Sequence, residues 1–111
     1  MIFYHVALRT DWEAALEAGE YRTSTRGKTL DDVGYLHASF AEQVPAILAN
    51  YYADVEEGQL LLLEIDLTRL TSPVRVEDVP GSPKPFPHIY GPLPVTEVVS
   101  ATPIGTDGVG D

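Results

Sequence analysis

The chain contains three histidines, and imidazole is the side chain that exchanges donor and acceptor roles near neutral pH. His5 lies in the apolar run Ile2-Phe3-Tyr4-His5-Val6-Ala7-Leu8. His37 lies in Gly34-Tyr35-Leu36-His37-Ala38-Ser39. His88 lies in Phe86-Pro87-His88-Ile89-Tyr90-Gly91-Pro92. Two settings read as strand and the third as a proline-fixed aromatic loop. Taken alone, His5 has a plain alternative, a core histidine bonded to backbone. His37 stands just before a helix start, where free N–H groups and the positive end of the helix dipole suit an anion or a ligand carbonyl. Ser39 is placed to cap that helix and still offer a lone pair. In extended chain, positions two apart point the same way, so His88 and Tyr90 face one cleft. The expectation is that all three imidazoles line that cleft and that Tyr90 forms one of its walls.

Other chemistries are poorly served. No His-x-x-x-His or His-x-Glu spacing occurs, so a metal would need ligands brought together by the fold, and no metal is expected. The Gly-x-Ser-x-Gly elbow of serine hydrolases is absent. So are the Gly-x-Gly-x-x-Gly and phosphate-loop signatures. Arg22, Arg26 and Lys28 form the one basic cluster, either a solvated loop or a phosphate-steering patch.

These residues must be positioned by elements that the patterning reveals. Ile2–Leu8 reads as a buried strand. Thr10 and Glu13 have the spacing of a capping box for a helix with Trp12, Ala15 and Leu16 on its apolar face, ended by Gly19. Glu20–Thr25 reads as a short strand, Thr29–Val33 is ambiguous, and Tyr35–Ala38 reads as another strand. Ser39 and Glu42 form a second capping box ahead of a helix from Phe40 to Tyr52, with Pro45 in its early part. Gln59–Leu67, with four successive leucines, reads as a central strand covered on both faces. Val74–Val79 alternates like a half-exposed strand. Pro80–Pro94 holds six of the nine prolines and reads as an ordered, extended loop. Val95–Ile104 reads as the last strand. Helices early and strands late give an α+β fold with a mixed or antiparallel sheet. Residues 1–104 form one domain, and 105–111 a flexible acidic, Gly-rich tail.

Composition narrows the partners. The 111 residues carry 17 acidic and 7 basic side chains, a formal charge of −10. Such a surface repels nucleic-acid backbones and anionic lipids. The absence of cysteine removes disulfides and thiol chemistry and fits a cytoplasmic protein. No apolar stretch reaches the roughly 20 residues of a membrane span, and no signal peptide is evident.

The blocks Ile2-Phe3-Tyr4-His5, Trp12-Glu13-Ala14-Ala15, Gly19-Glu20-Tyr21, Gly34-Tyr35-Leu36-His37-Ala38-Ser39, Glu42-Gln43-Val44 and Phe86-Pro87-His88-Ile89-Tyr90-Gly91-Pro92-Leu93 resemble the DUF952 family of small bacterial proteins. The resemblance covers residues 2–103. It implies an ADP-ribosyltransferase-like fold, a split β-sheet whose cleft takes NAD in related enzymes. His5 and His37-Ala38-Ser39 are similar to two motifs of the RNA 2′-phosphotransferases. Val6-Ala7 stands where those enzymes have Gly-Thr, and their arginine set has no counterpart.

The resemblance therefore implies a protein that binds NAD, ADP-ribose or a related nucleotide, and possible ribosyl- or phosphotransferase activity. In that reading His5 and His37 hydrogen-bond ribose and diphosphate, and Ser39 helps hold phosphate. Tyr90 stacks on a ring, and His88 orients the ligand or acts as acid and base. Glu77 is the nearest carboxylate to stabilise an oxocarbenium-like state. The alternatives are a non-catalytic metabolite- or protein-binding module on the same fold and a histidine-based, metal-dependent hydrolase.

Overall fold

The computed structural model describes residues 1–56 and 58–105. Of the acidic tail expected over 105–111, residues 106–111 therefore lie outside the described residues. The fold is α+β, and every strand pairing in it is antiparallel. In chain order the elements are β1 (Ile2–Leu8), α1 (Arg9–Ala18), β2 (Glu20–Tyr21), β3 (Thr23–Thr25), β4 (Lys28–Thr29), α2 (Leu30–Val33) and β5 (Leu36–His37). There follow α3 (Val44–Tyr51), β6 (Leu60–Asp66), β7 (Val74–Glu77), β8 (Phe86–Ile89), β9 (Leu93–Pro94) and β10 (Val98–Pro103). Among the described residues, no helix is long and apolar enough to cross a membrane.

The leucine run becomes the middle strand of the sheet β1–β6–β10. Its alternate side chains feed two cores. Leu61, Leu63 and Ile65 pack with Phe3, Ala7, Trp12, Tyr21 and Ile89. Leu60 packs with Val6, Val44, Leu48 and Tyr52. A strand with apolar residues on both faces is stable only when both are covered, and α1 and α3 contribute to those covers.

A second sheet has the order β5–β8–β7. The two sheets meet at a single bridge, where Tyr4 and Ser39 exchange both backbone N–H···O bonds at 2.7 Å. The result is a split sheet. Smaller pairings, β2–β9 and β3–β4, close its ends.

Three sequence-based expectations change here. Pro80–Pro94 is not a loop throughout: it contains β8 and β9, and β8 is the middle strand of the second sheet. Pro87 is tolerated because its carbonyl accepts from Ala38 at 3.1 Å. Its missing N–H faces the same side, where β5 has already ended. The Thr10–Glu13 capping box does not form, because α1 starts at Arg9 with Leu8 as its N-cap. Arg9 instead donates its backbone N–H to Gln59 and its Nε–H to Gly58. Ser39 does not cap a helix either, since its backbone is committed to Tyr4. The Phe40 N–H is capped by the Gln43 side chain at 2.9 Å, and Gln43 also donates to the Pro85 carbonyl. A 3-10 turn, Ala41–Gln43, intervenes before α3, whose first turn accommodates Pro45.

Gly91 is fixed by crowding. A Cβ at this position would fall 2.5 Å from Ser72 Oγ, and that hydroxyl donates to the Pro92 carbonyl at 2.7 Å.

Candidate functional site

The register of the second sheet assembles the chemistry. His37 lies opposite His88, and His88 lies opposite Arg75. Directly opposed residues share a face, as do residues two apart along a strand. One face therefore carries Tyr35 and His37, then His88 and Tyr90, then Arg75 and Glu77. The opposite face carries Leu36 and Ile89 into the core.

On the polar face, the Glu77 carboxylate accepts two hydrogen bonds on Oε1. One comes from His88 Nδ1 at 2.9 Å and the other from the Tyr90 hydroxyl. The Tyr90 bond, and then the His88 bond, hold the Glu77 carboxyl below its ordinary range. The same contact with Glu77 raises the Tyr90 phenol. Arg75 lies over the Tyr90 ring, 5.0 Å from its centroid. The His88 ring is stacked under Tyr35 with centroids 4.0 Å apart, and His37 meets it edge-on at 5.1 Å. His88 is 2% exposed. Its Nε2 is buried without a hydrogen-bond partner among the described residues.

His5 is also buried, 6% exposed, but both its nitrogens are engaged. Nδ1–H donates to the His37 carbonyl, and Nε2 accepts from the Tyr21 hydroxyl at 3.0 Å. Burial pulls its pKa down to about 4, against the raising effect of the His37 carbonyl. The ring is therefore neutral at physiological pH. The Tyr21 phenol is pushed well above its ordinary value, again by burial first. The plain reading of His5, a core histidine tied to backbone, describes its bonding.

A cavity of about 180 Å³ opens beside this junction. His5, His37, Ser39, Ser24 and Thr25 supply its polar lining; Val6, Ile47, Val79 and Phe86 supply apolar walls, with Tyr51 and Tyr52 at one side. His37 belongs to both features. It lines the cavity, and its ring touches the His88 cluster. Burial, and then the neighbouring His88, lower its pKa. The structure thus brings His5, His37 and Ser39 into one cavity, while His88, Glu77 and Tyr90 form an adjoining hydrogen-bonded trio. Tyr90 is not among the cavity-lining residues.

Tyr35 and Gln43 escaped the sequence reading. The position of Tyr35 two residues before His37 was the available signal for its face. Nothing in the sequence gave Gln43 its reach to Pro85. The basic cluster is largely neutralised. Arg22 pairs with Glu20 and Asp31, and Arg26 makes a two-pronged bond to Asp54 while donating to the Tyr51 carbonyl. Among the described residues, no group of three or more His, Asp or Glu side chains is arranged to hold a metal ion.

Fold and site together define a small α+β protein with a largely apolar cavity, carrying a few polar groups, where two antiparallel half-sheets part. The chain belongs to the DUF952 family, described as a protein of unknown function, whose model matches residues 6–101. It is similar to protein CC0527 from Caulobacter crescentus. The crystal structure of that protein has a TM-score of 0.77 at 28% identity, over 100% of this chain and 94% of that one. Its solution NMR structure gives 0.73 at 28% identity, over 99% and 91%. No curated protein matches this chain.

Proposed function

We propose that this protein binds an NAD- or ADP-ribose-type nucleotide at the junction of its half-sheets and acts on it as a transferase of the ADP-ribosyltransferase-like class. The observation that carries the reading is the composition of the cavity. Apolar walls with a few convergent polar groups, here His37, Ser39, Ser24 and Thr25, are the usual make-up of a small-ligand site. A space of about 180 Å³ suits one ring or a ribose, with the remaining nucleotide across the open mouth. His37 is the primary contact. His5 serves by fixing the His37 backbone, because its own nitrogens are occupied.

Thermal unfolding with NAD, ADP-ribose, AMP and nicotinamide tests this. A ligand at a hundred-fold excess over its Kd stabilises the native state by about 2.7 kcal/mol. The expected result is a saturable rise in Tm that His37→Ala weakens. No shift with any nucleotide at millimolar concentration overturns the reading.

Binding without turnover is the second reading. It is favoured by the engagement of both His5 nitrogens and by the pairing of Arg22 and Arg26 with carboxylates. Nicotinamide release from NAD by a nucleotide-binding preparation separates the two.

A further inference from the structure

The two buried histidines differ in one respect. His5 spends both nitrogens within the protein. His88, more deeply buried, spends only Nδ1. Buried polar atoms in native proteins are nearly always satisfied, and an exception calls for an explanation.

The neighbours of His88 supply one. Glu77 accepts from Nδ1 and is fixed in turn by Tyr90. A carboxylate accepting at Nδ1 selects the tautomer that carries its proton there, which leaves a bare lone pair on Nε2. The other titratable or charged groups around this ring are His37 on β5, Tyr35 just before it and Arg75 on β7. None of them hydrogen-bonds Nε2.

Tyr35 is the cover. Its ring lies on the imidazole and is only partly buried. Its backbone carbonyl is pinned by Ser24 Oγ at 2.6 Å. A side-chain rotation can therefore uncover that face of the His88 ring without moving the strand. On the far side of His37 lies the cavity.

We propose that His88, oriented by Glu77, is the proton acceptor for a hydroxyl-bearing second substrate, and that Tyr35 is the gate that admits it. Glu77 is a positioning residue here: its Oε1 holds His88 Nδ1 and is itself held by the Tyr90 hydroxyl. A neutral lone pair backed by a carboxylate selects a hydroxyl or water and disfavours an anionic acceptor. The hydroxyl donates its hydrogen bond to His88 Nε2, while the nucleotide of the reading above lies across His37, in the cavity.

Two measurements on the ligand-free protein test the arrangement. Long-range ¹H–¹⁵N NMR reads the neutral tautomer of His88. The Nδ1–H form is expected in the wild type, with loss of that preference in Glu77→Gln. An Nε2–H form in the wild type overturns the proposal. Diethyl pyrocarbonate, which labels unprotonated imidazole nitrogens, reads access. Tyr35→Ala should label at His88 several-fold faster than the wild type, while His5 stays unlabelled in both. Unchanged His88 labelling with an intact fold removes Tyr35 as the gate. If His5 labels too, the variant has lost its fold and Tyr35→Leu replaces it. Neither measurement contains a nucleotide. Failure to bind nucleotide would leave the Glu77–His88 pair standing, and an Nε2–H tautomer would leave nucleotide binding untouched.

Discussion

Acidification protonates His5 in the unfolded chain well before it does so in the folded one. The unfolded imidazole has its ordinary value of 6.5, and the folded one about 4. The folded value is depressed, so its contribution to stability is fully present above 6.5 and is lost as the pH falls toward 4. One pKa unit corresponds to about 1.36 kcal/mol. The difference therefore removes about 3 kcal/mol between neutral pH and about pH 4, a large share of the 5–15 kcal/mol typical of a domain. His5→Asn is the control. Its amide can keep the bond to the His37 carbonyl, but it cannot titrate. Urea unfolding of both proteins across this range should show the wild type losing about 3 kcal/mol more than His5→Asn. Carboxylates and His37 remain in both, so their titration largely cancels. Parallel pH profiles for the two proteins would refute the assignment of His5 as a neutral buried ring.

Three further outcomes are expected. Leu48, fully buried in the α3 core, should cost about 2–5 kcal/mol when replaced by Ala, read by urea unfolding. Gly91→Ala should destabilise by about 1–3 kcal/mol through its clash with Ser72, and Ser72→Gly in the same chain should recover part of that loss; simple additivity would show that the crowding is not the cause. Tyr90→Phe removes the largest influence holding the Glu77 carboxyl down, so a ¹³C titration should place that carboxyl higher than in the wild type.

The sequence made some of this legible for clear reasons. Four successive leucines leave a strand no solvent-facing side near its start, so β6 had to be central. His88 and Tyr90 share a face because two-residue spacing in extended chain imposes it. Their meeting with Glu77 could not be read, because it depends on how β7 and β8 align across an intervening proline-rich stretch. The same prolines concealed β8. A proline argues against a middle strand unless its missing donor falls where a neighbour has ended, and that is a property of the assembled sheet. The caps failed for a related reason: Thr10 and Ser39 have suitable side chains, but tertiary backbone partners moved both helix starts.

Tyr4 and Ser39 are bonded as a regular antiparallel pair, and regular pairing continued one step further would oppose Val6 to His37. It does not continue. The His37 carbonyl is taken by the His5 imidazole instead, and Val6 and His37 both face the cavity. The ring acts as a spacer, a wedge that keeps two strands from zipping shut. The cavity is thus an interrupted β-ladder. A small residue at position 5 that cannot bond the His37 carbonyl, unlike Asn, would let the strands close and erase the pocket. Loss of binding in such a variant would be a change of architecture, although it would look in an assay like the loss of a catalytic histidine.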